Sequence, residues 1–306
     1  MQRNIRIYLL VLGFLLFLLN KVIPLNIQTQ VSFLVFILIL FGIPHGALDL
    51  FIDQHLSKGK SNPRNFLIIY ISNILAYSII WYFFPMVALI IFILITAYHF
   101  GEIDWVGKSE TWLHKFVYTA LGLSWILFLL SANIQFAIDI FMHMGQNTIA
   151  SERYIQLANI IYPYSIGSLG VIHFLLFFFR KRFFNSERDY YFSLLQVVVL
   201  FFLTLNLPLW IGFAFYFGFW HSLLSFDKIR VNFNIENNFQ GWKNLLYKAA
   251  PFSIMAWFGI LYITFLTLNS KDSSGIFTLL FISLSVLALP HLQVFTKLKL
   301  KDSSIA

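Results

Sequence analysis

The sequence has no cysteine, so disulfides, iron–sulfur clusters, thiolate zinc sites and a cysteine nucleophile are excluded. Charge is almost as scarce. Only 11% of the 306 residues are Asp, Glu, Lys or Arg, against 59% hydrophobic residues and a mean hydropathy of +0.78. A chain with so little polar surface cannot cover a water-soluble core, which excludes a soluble globule. Phosphate-binding glycine loops and haem motifs are absent. No linker or low-complexity tract divides the chain, which reads as a single membrane-embedded domain over residues 1–306.

What the sequence holds in abundance is apolar runs and aromatic rings, with 37 Phe, 14 Tyr and 8 Trp. A transmembrane helix needs about 20 mostly apolar residues. By that measure ten spans are expected, at 6–24, 31–53, 66–84, 86–105, 116–133, 158–179, 190–206, 208–226, 249–268 and 276–296. The first follows Arg3 and Arg6 with no small-residue cleavage site after it, so it is read as a retained helix rather than a signal peptide. Pro85 and the Asn206-Leu207-Pro208 break are tight reversals between antiparallel neighbours. The expected fold is an all-α polytopic membrane bundle.

The net charge of +8 sits in short breaks between the apolar runs. That pattern argues against nucleic acid and reads as a topology signal. With both termini cytoplasmic, only Lys21, Arg153 and Lys271 of the 21 basic residues fall outside.

Eight histidines are present, and five of them (His45, His99, His173, His221 and His291) lie within expected spans. They fall on the second, fourth, sixth, eighth and tenth spans, all running from outside to inside. Each lies about 6–13 residues before the next basic residue, or roughly 9–20 Å along a helix, so they share a layer in the cytoplasmic half. Ionisable side chains within a bilayer are costly and face the bundle interior. A metal accounts for several imidazoles in one layer, since neutral imidazole ligates iron, zinc and copper. The alternative is that each histidine bonds a neighbouring helix carbonyl. His173, in an unbroken apolar setting, is read that way. His55, His114 and His143 are read as solvated or interfacial.

Local context separates the rest. His45 lies in Gly42-Ile43-Pro44-His45-Gly46-Ala47-Leu48-Asp49, where proline and glycine are expected to kink the helix. His99 lies in Tyr98-His99-Phe100-Gly101-Glu102-Ile103-Asp104, and His221 in Phe219-Trp220-His221-Ser222. A carboxylate behind a ligating histidine fixes its tautomer. Asp49, one turn after His45, is the best candidate for that role. Asp104 and Asp227 are read either as such acceptors or as ordinary helix-end charges.

The Pro44-to-Asp49 stretch, His99-Phe100-Gly101 with Asp104, Trp220-His221-Ser222 and Pro290-His291, in this order, resemble the Brp/Blh (bacteriorhodopsin-related-protein-like) family of β-carotene dioxygenases. The resemblance implies a multi-pass enzyme of the bacterial inner membrane. Such an enzyme holds Fe(II) and uses O₂ to split the central double bond of β-carotene into two retinal molecules, supplying a retinal-binding rhodopsin. His45, His99 and His221 carry over as iron ligands. Many members have another histidine one turn after the Trp-His-Ser histidine; here that position is Ser225. His291 is assigned as fourth ligand in its place, with three histidines and a water as the fallback.

An all-imidazole site leaves coordination positions open, which suits dioxygen activation. Catalysis needs no side chain beyond the iron centre. A hydrocarbon offers no hydrogen-bond handles, so an aromatic tunnel would set its register, and Phe100 and Trp220 are the expected wall residues. β-Carotene would enter laterally from the membrane lipid. Two other functions stay open: a proton- or ion-coupled transporter, whose histidines and acids would form a relay, and a non-catalytic carotenoid-binding membrane protein.

Overall fold

The computed structural model describes the backbone at residues 2–135, 138, 148–269 and 273–298. Among these residues the chain is mostly helical, with no strand. The principal helices are α1 (Gln2–Val22), α2 (Ile27–Leu56), α3 (Pro63–Phe83), α4 (Pro85–Asp104), α5 (Trp112–Ala132), α6 (Thr148–Phe178), α7 (Glu187–Asn206), α8 (Leu209–Asn232), α9 (Phe239–Asn269) and α10 (Ser273–Phe295). In eight of them, α1 to α8, the described residues form a stretch long and apolar enough to cross a membrane. The ninth and tenth expected spans coincide with α9 and α10, whose side chains are only partly described. The fold is a polytopic membrane helix bundle.

Sequence punctuation explains most boundaries. Asn62 accepts a backbone hydrogen bond at the start of α3 and Pro63 follows it, a placement that satisfies one of the orphan N–H groups of a first turn. Phe84 separates α3 from α4, which opens on Pro85, and Pro208 precedes α8. Large apolar side chains such as Phe14, Leu15, Ile68, Ile69, Phe174 and Phe178 face outward. A water-exposed surface would not carry them so densely, whereas lipid contact would.

α8 is the most enclosed of the eight spans. Its apolar window is 61% buried, against 11% for α3, so α8 runs through the middle of the bundle and α3 lies at its edge. α8 packs on α2 and α1, while α10 packs on α3 and α4. Two helices depart from α geometry. α2 is π-helical at Leu38–Gly42, resumes as α over Ile43–Gly46, and breaks at 47–48 before Asp49–Leu56. α8 is π-helical over Ala214–His221. The irregularity expected around Pro44 takes the form of a π segment before it and a turn after it.

α4 and α5 meet backbone to backbone. A Cβ at Gly101 would collide with the carbonyl of Tyr118, and one at Gly122 with the carbonyl of Ala97. Small residues at crossings are how membrane helices gain close packing. Gly101→Ala is expected to destabilise the protein by about 1–3 kcal/mol through this overpacking. Thermal unfolding in detergent would register it, and an unchanged midpoint would contradict the close approach.

Candidate metal centre

His45 is buried in the short stretch of α2 between its π segment and its turn, and the π segment of α8 ends on His221. α4 supplies His99 and α10 supplies His291, so the four come from four different helices. All are buried. Their rings form a closed square. Centroids are 5.2 Å apart for His45–His221, 4.8 Å for His221–His99, 5.1 Å for His99–His291 and 5.2 Å for His291–His45, with neighbouring rings nearly perpendicular. His45, His99 and His221 each present a ring nitrogen within 4.8 Å of the others.

Hydrogen bonding indicates what the square could hold. Both ring nitrogens of His99, Nδ1 of His221 and Nε2 of His291 are buried without a hydrogen-bond partner among the described residues. An unsatisfied buried polar atom costs about 1–3 kcal/mol. Clustered imidazoles with free lone pairs are a donor set that a borderline divalent cation satisfies, and iron fits it, as zinc and copper do.

His291 differs from the other three. Its Nδ1 lies 2.8 Å from Oδ1 of Asp49, whose Oδ2 accepts a hydrogen bond of 2.9 Å from the Tyr70 hydroxyl. Asp49 was expected behind His45, four residues earlier. The break at 47–48 ends the helical register between them, so Asp49 faces α10 and supports His291 instead. The fully buried Ser225 stands one turn after His221, its hydroxyl without a partner among the described residues.

Two further buried carboxylates are paired with basic side chains. Glu102 lies 2.8 Å from Lys228, and Asp227 is bonded to Arg230. Of the three buried carboxylates, Asp49 alone has no Lys or Arg partner among the described residues. It would be a negative charge available to a cation held by neutral imidazoles.

Asp104 does not support a histidine. Its carboxylate accepts from Trp220 Nε1 at 2.7 Å and from the Tyr216 hydroxyl at 2.8 Å. Trp220 is consequently enclosed, with the Arg6 guanidinium 5.7 Å above its ring, and forms an anchor for α8 rather than an open wall. Phe100 does adjoin the square, its ring 4.1 Å from that of His221. Phe217 stacks on His221 from one side, and Phe295 lies 4.8 Å from His99 and 5.3 Å from His291. Phe295 was not foreseen; its position one turn after His291 was the available signal. A small cavity among α4, α5, α6 and α7, lined by Asp104, Trp125, Ser193 and Gln196, has no histidine in its lining.

His173 stands apart from the square, its Nδ1 bonded to the Leu169 carbonyl. His55 is exposed and packs on Phe233. His114, expected to be solvated, is buried. It forms a capping box with Thr111 at the start of α5, and its Nε2 meets the Arg182 carbonyl. His143 lies outside the described residues.

Comparison with known proteins gives the family. A family model described as Beta-carotene 15,15'-dioxygenase matches residues 36–299. The chain belongs to this family. All four histidines of the square, and Asp49, fall inside the matched region. A relative from an uncultured marine bacterium, 66A03, named Beta-carotene 15,15'-dioxygenase, is 26% identical over 266 residues, covering 84% of this chain and 89% of its own length. No solved structure matches. α1 lies before the matched residues.

Proposed function

We propose that the chain is an iron-dependent dioxygenase of the bacterial inner membrane that splits the central double bond of β-carotene with O₂, giving two molecules of retinal. The observation that carries this reading is the square of buried imidazoles with unpartnered ring nitrogens. His45, His99 and His221 would hold the ion, with His291 as fourth ligand in a sphere where Ser225 takes the place of a histidine. Bound ferrous iron would supply the redox chemistry that lets O₂ react with a polyene.

The chain's own residues account for the remaining requirements. With Nδ1–H of His291 donating to Asp49, the Nε2 lone pair of that ring stays free for an ion, while Tyr70 donates to the other carboxylate oxygen. Phe100, Phe217 and Phe295 surround the imidazoles with aromatic faces and keep water away from them. Their flat, polarizable surfaces suit a conjugated hydrocarbon, which would arrive sideways from the lipid between helices. The transporter alternative is disfavoured because the buried carboxylates are already engaged by Lys228, Arg230, or the Tyr70–His291 pair.

The test is expression in a bacterial host that accumulates β-carotene. Bleaching of the pigment with two retinal molecules formed per carotene consumed is expected. Unchanged pigment in cells whose membranes contain the protein would contradict the proposal.

A further inference from the structure

The buried polar network on the far side of Trp220 involves a residue outside the family-matched region. Arg6, on α1, is 3% exposed. Its guanidinium donates to the carbonyls of Ile103 and Asp104 at the end of α4 and to Oε1 of Gln196 on α7, the last at 2.8 Å. Gln196 Nε2 also donates to the Asp104 carbonyl, at 2.9 Å. A helix C-terminus leaves its last carbonyls without intrahelical donors and carries partial negative charge, so a buried fork of N–H donors with positive charge is matched to it. The remaining faces of the guanidinium are accounted for by Gln196 and by the Trp220 ring.

What Arg6 fixes in this way is the segment that carries Asp104. Asp104 in turn bonds Tyr216 and Trp220, four residues apart on the π-helical stretch that ends at His221. A π-helical run of eight residues is an uncommon and poorly self-sustaining conformation, and external bonds are what hold it. His99 lies five residues before Asp104 on the same helix, so one carboxylate links the helix bearing His99 to the segment bearing His221.

We propose that Arg6 is a positioning residue for the imidazole centre: by clamping the end of α4, with Gln196, it sets through Asp104 the spacing of His99 and His221. The inference rests on the reading of the four histidines as a metal site and adds α1 to the active unit. Arg6 does not touch the histidines. Its influence passes through Asp104, Tyr216 and Trp220.

The test uses the full chain in detergent, stripped of metal and titrated with Co(II), whose visible absorption reports ligand geometry. Thermal unfolding is followed in parallel. Arg6→Met is expected to weaken Co(II) binding about tenfold, the lower end of what outer partners of a metal site contribute, and to change the Co(II) spectrum. Arg6→Lys, with the charge but not the fork, should fall between it and the wild type. Tyr216→Phe keeps the ring and removes only the hydroxyl bonded to Asp104, and should shift the spectrum in the same direction. It serves as the decisive variant should Arg6→Met fail to accumulate. A lower unfolding midpoint with wild-type Co(II) affinity and spectrum in Arg6→Lys and Tyr216→Phe would overturn the proposal, leaving Arg6 a structural residue only. Wild-type protein that takes up no Co(II) would overturn the metal-site reading itself, and the positioning role with it.

Discussion

His45→Ala and His221→Ala are each expected to abolish retinal formation and to leave the purified protein with little iron. Each removes one corner of a square whose neighbours stand 4.8–5.2 Å away, and no other described side chain is placed to substitute. Loss of a ligand should exceed the roughly 10–100-fold effect of altering a group behind one. Alanine also removes a ring that packs against Phe217, so protein yield and unfolding must be measured beside iron content. His291→Ala is expected to lose iron as well. Iron retained at wild-type level in that variant alone would reduce the ligand set to three histidines. His173→Ala is the control, since that ring is bonded to Leu169 away from the square and its loss should leave iron content unchanged.

The second large effect is expected at Asp49. Asp49→Asn keeps size and one acceptor oxygen but removes the buried negative charge that has no Lys or Arg partner among the described residues. Iron affinity should fall about 10–100-fold. Tyr70→Phe, which removes one hydrogen bond to the same carboxylate, should show a smaller loss in the same direction. Asp53→Asn, near the end of the same helix, removes the partner of an exposed lysine, Lys297, and is expected to do nothing measurable to iron. Equal iron affinity in wild type and Asp49→Asn would mean that the carboxylate serves folding and not the centre.

The bundle was readable because bilayer thickness imposes a length on every apolar run, and prolines mark the reversals at Pro85 and Pro208. The gathering of histidines was readable for a related reason. Alternate spans run in one direction, so equal distance from the basic boundary means equal depth, and costly imidazoles at one depth face one interior. Partners were not readable. Asp49 sits in sequence beside His45, yet a break of two residues sends it to His291, 242 positions away. The π segments left no signal either, because a shift in backbone hydrogen bonding does not change the side-chain types that periodicity detects. Arg6 and Lys228 were read as topology charges, as nearby Arg3 and Lys297 still can be, but they are buried and paired within the bundle. Composition cannot distinguish a charge that stops at the headgroups from one that turns inward.

Iron content together with iron K-edge X-ray absorption of the wild-type protein, purified from membranes under reducing conditions, tests the central claim most directly. About one iron per chain is predicted, in a nitrogen and oxygen shell with the multiple-scattering pattern of imidazole, and both features should be lost in His221→Ala. Protein that cleaves β-carotene with no bound metal, or iron whose shell is the same after His221 is removed, would contradict the account.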